Sequence, residues 1–329
     1  MQTHKITLTP KSAFGTSPKG DTLFGQLCWA IRNRFGETRL NELLVSYTDG
    51  QPFVVVSDAL PSGFLPRPSL PTNWFGEVAG ADRKAVKKRA WMPLSAFPHP
   101  VAEWLVHCQS AADIPGGAVL ERAQPHNSIN RATNTTGNGF DPYSMEQRWY
   151  GKPKRDEQEA SPPLLDLIIV LDESRLAADE LKTLLEDIGA VGFGRDASIG
   201  LGKFEIIAFT VFELPSQPNA DAWLTLAPCA PQGLAWDQPR CFYQPFTRFG
   251  RHGDIGVHLG NPFKTPVLLA DTGAVLTPRM ASETAGTLFT GQGLGGDGSL
   301  SKSLPQTVHQ GYAPVVGVNL PKAGPQETA

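Results

Sequence analysis

The chain has 329 residues, 40% of them hydrophobic, which exceeds one ordinary domain and supplies enough apolar side chain for a buried core. Its formal net charge is −3, which excludes the diffuse attraction that a strongly basic protein has for nucleic acid, so any polyanion must meet a local basic patch. Thirty-three glycines and 29 prolines favour tight turns and irregular connections over long helices.

Cys28, Cys108, Cys229 and Cys241 show no C-x-x-C spacing, so neither a zinc cluster nor a redox pair is suggested, and no metal or cofactor is called for. The first residues, MQTHKITLTPKSAFG, lack an apolar core of signal-peptide length, and no run of about eighteen apolar residues occurs. A cytoplasmic protein without a membrane partner is expected.

In chain order, residues 5–9 alternate polar and apolar as a half-buried strand does, and a loop punctuated by Gly15, Pro18 and Gly20 follows. Asp21 reads as a helix cap. Leu23, Leu27, Ala30 and Ile31 then recur at helical spacing until Gly36 ends the helix. Residues 53–56 form a short β-branched and aromatic strand. From about 60 to 163 the pattern dissolves into proline, glycine and charge, with short helices expected at 79–90 and 96–107. A stretch of this length is read as an insertion rather than a loop.

Residues 164–171 are almost continuously apolar, as in a buried strand, and 176–188 carry Leu181, Leu184, Leu185 and Ile188 at helical spacing. A glycine-rich turn at 189–202 leads into an alternating strand at 203–213. Strand-helix-strand, insertion, strand-helix-strand is the order of a split βαβ unit. The expected class is α+β: two ferredoxin-like (RRM-like) domains, 1–214 with the insertion and a degenerate second one at 215–329. Strands are expected in the latter at 222–226, 266–269 and 312–318.

The sharpest local motif is GFGRDASIGLGKFEI at 192–206. Gly194, Gly200 and Gly202 let backbone amides approach a ligand, and Arg195, Ser198 and Lys203 add donors. An ordinary turn at a helix end is the plain alternative. A nucleotide P-loop is disfavoured, because Lys203 is followed by Phe204 instead of Ser or Thr. A dinucleotide fingerprint fails on order, since these glycines follow a helix and precede a strand.

This loop resembles the C-terminal glycine-rich loop of the repeat-associated mysterious protein (RAMP) superfamily of CRISPR systems. SAFGTSPKGDTLFGQLCWAI resembles the first loop and helix of that superfamily, GFLPRP at 63–68 its following loop, and HNSINRATNTTG at 126–137 its inserted segment. PVLLADTGAVLTP and HQGYAPVVGV extend the resemblance over nearly the whole chain. The set is most similar to the fourth, handle-binding subunit of type III-A (Csm) effector complexes.

The resemblance implies a non-catalytic subunit of an antiviral ribonucleoprotein. It would bind the 5′ repeat-derived tag of the guide RNA and join the large polymerase-like subunit to a backbone RAMP subunit. The residues it singles out are Lys11, Ser12, Phe14, Gly15 and Thr16 in the first loop, His126, Asn127, Asn130, Arg131 and Thr133 in the insertion, and the glycine-loop residues named above. Their chemistry suits single-stranded RNA, which is held by cations on phosphates, stacking on rings and hydrogen bonds to base edges.

Other readings stay open. His126 could serve a processing endoribonuclease as general acid or base, although His4, His99, His107, His126, His252, His258 and His309 show no recognised metal spacing. Asp141 and Asp196 read as turn residues. The basic runs Arg83, Lys84, Lys87, Lys88, Arg89 and Lys152, Lys154, Arg155 are either solvated faces or phosphate contacts. Trp74, Phe75, Trp91, Trp104 and Trp149 would anchor subunit interfaces in a protein that only assembles, or pack in the core.

Overall fold

The computed structural model describes all residues except 77–81, 115–118, 138, 152–161, 281–283, 285 and 322–329. The basic run Lys152, Lys154, Arg155 and the start of the helix expected at 79–90 lie outside the described residues.

β1 (Gln2–Pro10) is longer than its alternation suggests and buried along most of its length. It is a central strand covered on both faces, so its polar positions are buried too: Thr7 donates to Asp166 at 2.7 Å. α1 (Gly20–Phe35) and α2 (Glu37–Leu44) follow, with Gly36 between them at φ 90°. α1 buries Leu23, Phe24, Leu27 and Ile31, each contributing about 1.5–3 kcal/mol. Asp21 does not cap α1: it lies inside the first turn, with Lys19 at the cap position. β2 (Val54–Val56) is fully buried.

The insertion folds into its own small structures. β3 (Leu60–Pro61), β4 (Phe64–Pro66), α3 (Arg83–Lys88), β5 (Arg89–Pro93), α4 (Val101–His107) and β6 (Gln109–Ser110) come first, with a sheet of order β4-β5-β6. β7 (Val119–His126) and β8 (Tyr143–Tyr150) then form a hairpin paired from Val119 opposite Tyr150 to His126 opposite Tyr143.

β9 (Leu165–Leu171), α5 (Ala178–Val191) and β10 (Phe204–Val211) return the chain to the first sheet. Its order is β10-β1-β9-β2, all neighbours antiparallel, with β3 also paired to β9. The strand-helix-strand, strand-helix-strand order is present as the sequence implies. α1 and α5 pack into one core with Ile6, Leu167, Ile169 and Phe204.

The second half is built differently. β11 (Ala222–Thr225), β12 (Pro245–Arg248), β13 (Val267–Ala270), β14 (Val275–Leu276), β15 (Phe289–Gly291), β16 (Leu294–Gly295), β17 (Val308–His309) and β18 (Tyr312–Val318) make a four-stranded antiparallel sheet, β14-β11-β18-β15, and two short ribbons. Among the described residues no α-helix follows Val191. The architecture is mixed, with several antiparallel sheets.

The insertion shares its core with this second sheet: Leu65, Met92, Phe97 and Trp104 pack with Leu224, Val275, Val316 and Val318, and Ile168 joins them from the first sheet. Trp104 is fully buried, and its indole donates to the His99 carbonyl at 2.8 Å. Phe75 is buried, Trp74 and Trp91 are packed against the same core, and only Trp149 of the five aromatics is largely exposed.

Gln310 bridges the halves at a sheet edge. Wholly buried, its side-chain carbonyl accepts from the Val56 amide at 2.9 Å and its amide donates to the Val56 carbonyl at 2.8 Å. Gln310→Leu leaves both backbone groups of Val56 buried without partners. A loss of about 2–4 kcal/mol in unfolding free energy is expected, checked by urea denaturation against wild type.

Candidate nucleic-acid interface

Pro10 pairs with Phe204, so the end of β1 meets the start of β10. The loop leaving β1 and the glycine loop entering β10 therefore lie side by side. The Lys11 amide donates to the Lys203 carbonyl at 2.8 Å, the Lys203 amide to Ser12 Oγ at 2.9 Å, the Gly202 amide to the Ala13 carbonyl at 2.7 Å and the Arg195 amide to Thr16 Oγ1 at 3.0 Å. Gly15 and Gly194 permit this contact: a Cβ on Gly15 would stand 2.5 Å from the Arg195 carbonyl oxygen, and one on Gly194 2.8 Å from Thr16 Cβ.

The root of the hairpin joins them. Phe14 and Arg148 exchange backbone hydrogen bonds at 2.8 and 2.9 Å, and the Arg195 guanidinium donates to the Glu146 carbonyl at 2.6 Å. Phe14 is buried, edge-on to Tyr150 at 5.5 Å between centroids, so its ring belongs to the core and presents no face to a base. Lys11 is exposed and paired with Glu205 at 2.7 Å. Ser198 and Lys203 are exposed.

His126, Asn127, Asn130, Arg131 and Thr133 are not part of this cluster. They occupy the far end of the hairpin, about 10 Å beyond Glu146 for three residues of strand. Asn130 Oδ1 accepts from the Ala132 amide at 2.9 Å and the Asn130 carbonyl from the Thr133 amide at 3.2 Å, so Asn130 holds the turn. Asn127 and Arg131 are exposed. His126 stacks on Tyr143, centroids 5.2 Å apart and planes at 12°, with its Nε2 shielded from solvent.

The glycine loop also forms one wall of a cleft of about 820 Å³ whose other walls are α1 and the segment after β12. Thr16, Gln26, Trp29, Arg195, Ser198, Arg248, Phe249, Arg251, His252, Lys264 and His309 line it. Phe249 is 77% exposed and Phe263 64%, and the Arg251 guanidinium lies over the Phe263 ring at 5.8 Å. Arg83, Lys84, Lys87 and Lys88 sit on α3 and do not line the cleft, while Arg89 caps α4 by donating to the Leu105 carbonyl at 3.1 Å.

The cleft floor is electrostatically tight. Asp21 has a fully buried side chain and receives Arg248 in bidentate fashion, at 2.6 Å from Nε and 2.8 Å from Nη2. His309 Nε2 stands 3.5 Å from Asp21. Burial pulls His309 down to about 4; Asp21 opposes this, while Lys264 and Arg248 add to it. His252, hydrogen-bonded to Ser301 at 2.8 Å, is likewise lowered to about 4 by burial and by Lys264. Burial also holds the Lys264 ammonium below the usual lysine range.

Sequence reasoning missed this second wall. The available signal was Arg248-Phe249-Gly250-Arg251, a short run in which cations and an aromatic ring interleave as single-strand binders require. Its apposition to α1 depends on a contact between residues 227 positions apart.

No protein-family model and no curated protein sequence matches the chain. Solved structures do. A chain of the Csm1–Csm4 cassette in complex with pppApA aligns over 98% of this chain and 100% of its own length, with a TM-score of 0.57 and 16% identity. A chain of the Csm3–Csm4 subcomplex in the type III-A CRISPR-Cas interference complex aligns over 96% and 99%, with a TM-score of 0.56 and 11% identity. Csm4 is the component common to both assemblies. The chain has the Csm4 fold. The cassette bound to AMPPNP gives a similar match, with a TM-score of 0.55 and 17% identity. No helix among the described residues is long and apolar enough to cross a membrane.

Within the Csm4 fold the glycines of the 192–206 loop divide by role. Gly202 has φ 73°, and a Cβ there would overlap the Phe193 backbone, whereas Gly200 has φ 96° and open space around it. Gly200→Ala is expected to cost about 1–3 kcal/mol from backbone strain alone and to leave a folded protein. Gly202→Ala adds the backbone overlap to a similar strain and lowers the thermal midpoint further. Melting curves of the two variants side by side check this order.

The histidines set an acid limit. A group whose folded pKa is depressed to about 4 from an ordinary value of about 6.5 leaves the unfolded chain with more bound protons as pH falls. The stabilisation from neutral His309 is thus complete above about pH 6.5 and is lost toward pH 4, amounting to about 3 kcal/mol at most. His309→Gln should flatten the fall in urea midpoint between pH 7 and pH 4.5, with His252 leaving a residual slope.

Proposed function

We propose that this chain is a non-catalytic subunit of a type III CRISPR ribonucleoprotein that binds the 5′ repeat-derived tag of the guide RNA and bridges a large polymerase-like subunit to a backbone subunit. The observation that carries the RNA part is the convergence of the first loop, the glycine loop and the hairpin root beside a cation-lined cleft with exposed rings at its mouth. Arg195, Arg251 and Lys264 offer charge to phosphates, Phe249 and Phe263 offer stacking faces, and Ser198 offers a hydroxyl. Arg131 and Asn127, raised on the hairpin, extend the same surface along a strand of RNA.

The bridging part rests on the Csm4 fold, since the matched chains come from assemblies with Csm1 and with Csm3. We read the first half as one ferredoxin-like domain and the second as a degenerate one that has lost its helices. A catalytic role has less support. A general acid needs a ring nitrogen turned toward its substrate, and His126 stacks flat on Tyr143 with Nε2 shielded.

The test is fluorescence anisotropy with single-stranded tag RNA over a salt series. Each phosphate contact removed lowers the slope of log affinity against log salt by about 0.7. Arg251→Ala is expected to weaken binding and lower the slope together, Phe249→Ala to weaken binding by about 1–3 kcal/mol without changing it, and the RNA to remain uncut throughout. Unchanged affinity in the Arg251→Ala, Phe249→Ala double variant would sink the cleft as the RNA site. Cleavage lost on His126→Ala would replace the reading with a processing nuclease.

A further inference from the structure

α4 and the residue ahead of its cap bring three metal-ligand side chains together. The helix buries Val101, Trp104 and Leu105, and the stripe turned to solvent carries Glu103 and His107. In H-x-x-x-E-x-x-x-H, Glu103 and His107 are one helical turn apart, and His99, just ahead of the Pro100 cap, folds against both. The ligand atoms all lie within 4.8 Å of one another. The two imidazoles stack with centroids 5.0 Å apart and planes at 23°, and His99 Nδ1 is 3.4 Å from Glu103 Oε2.

Two features make this more than three neighbouring polar groups. The His99 backbone is fixed, because its carbonyl accepts both the Trp104 indole N–H and the Gln217 amide, each at 2.8 Å. Trp104 is wholly buried and Gln217 nearly so, so the backbone that carries the His99 ring is held beside the helix. The side chains themselves are exposed and free to close on an ion. Tetrahedral bonds of about 2.1 Å bring ligand atoms to roughly 3.4 Å apart, the separation that His99 Nδ1 and Glu103 Oε2 already have.

We infer that His99, Glu103 and His107 form a surface site for a divalent transition metal of the zinc class. Two imidazoles and one carboxylate select such an ion over Mg²⁺ or Ca²⁺, which prefer all-oxygen shells. With three protein ligands the fourth position stays open to water. The spacing escaped the sequence reading because it is neither a histidine pair at one helical turn nor an H-E-x-x-H motif, and because one ligand precedes the helix.

The experiment uses the full chain stripped with chelator, titrated calorimetrically with Zn²⁺ and with Mg²⁺, and with Co²⁺ followed by absorption. Saturable uptake of one Zn²⁺, no uptake of Mg²⁺, a Co²⁺ spectrum without thiolate charge transfer and slower amide exchange in α4 are expected. Outer-shell partners alone are worth about 10–100-fold in metal affinity, so loss of a direct ligand in His99→Ala or His107→Ala should weaken binding by more than about 10-fold. Circular dichroism should stay unchanged, because both rings are exposed. Absence of saturable Zn²⁺ uptake overturns the site. So does uptake that persists in the His99→Ala, His107→Ala double variant, or a thiolate spectrum, which would move the metal to a cysteine.

Discussion

Asp58 lies just past the end of β2, against the first turn of α1, and its carboxylate is divided between the two halves of the chain. One oxygen accepts the Gly20 amide at 2.8 Å and so satisfies an orphan donor at the start of α1, where no adjacent side chain caps the helix. The other accepts the Thr272 hydroxyl at 2.6 Å and stands 3.3 Å from the Lys19 ammonium, which reaches on to Asp271 at 2.7 Å. Burial works against the charge on Lys19, but Asp58 and Asp271 together hold it above the usual lysine range. Removing one member of such a cluster strands the others, at about 3–5 kcal/mol for a buried charge. Asp21 and Arg248 repeat the arrangement at the next residue of the same turn, so the start of α1 is held from β2 and from the second half at once.

That anchoring decides what the first loop can do. Residues 11–16 run from β1, fixed in the sheet, to a helix start fixed by Asp58, and so cannot drift away from the glycine loop facing them. The two loops then read each other's backbone through Ser12, Ala13 and Thr16. Several glycines and hydroxyls expected to touch a ligand are therefore occupied in holding the two loops together. What the pair presents outward is Arg195, Ser198 and the cleft behind them.

The parts of the fold that the sequence made legible are those where burial imposes a period. β9 is apolar except for Asp166 and buried throughout, and α1 and α5 keep their apolar residues on one face. The hairpin was invisible for the opposite reason: β7 reads VLERAQPH, is exposed along nearly its whole length, and is held by backbone pairing with β8 instead of by a hydrophobic face. In the second half β11, β13 and β18 were expected within a residue of their observed limits, while β12, β14, β15, β16 and β17, of two to four residues, are too short to show any period. Asp21 was misread because a carboxylate near a helix start is usually a cap, and nothing local signals a partner from β12. The cleft was missed on the same ground, since its walls meet only in three dimensions.

Ion pairing also determines how few charges remain for a polyanion. Lys11 is paired with Glu205, Arg148 with Glu121, Arg195 with Asp196, and Arg248 and Lys19 are held in the buried clusters. The exposed pairs are worth about 0–1 kcal/mol each and can open to a phosphate at little cost, whereas the buried ones cannot. A chain of net charge −3 thus keeps a short supply of available cations beside the loops, Arg195 and Arg251 among them, while the exposed cations of α3 lie away from the cleft. On the proposed RNA-binding reading, with so little long-range attraction, discrimination comes from shape, from the exposed rings of Phe249 and Phe263, and from backbone groups fixed by the two anchored loops. Such a surface suits a short, defined stretch of single strand better than indiscriminate binding along a long one.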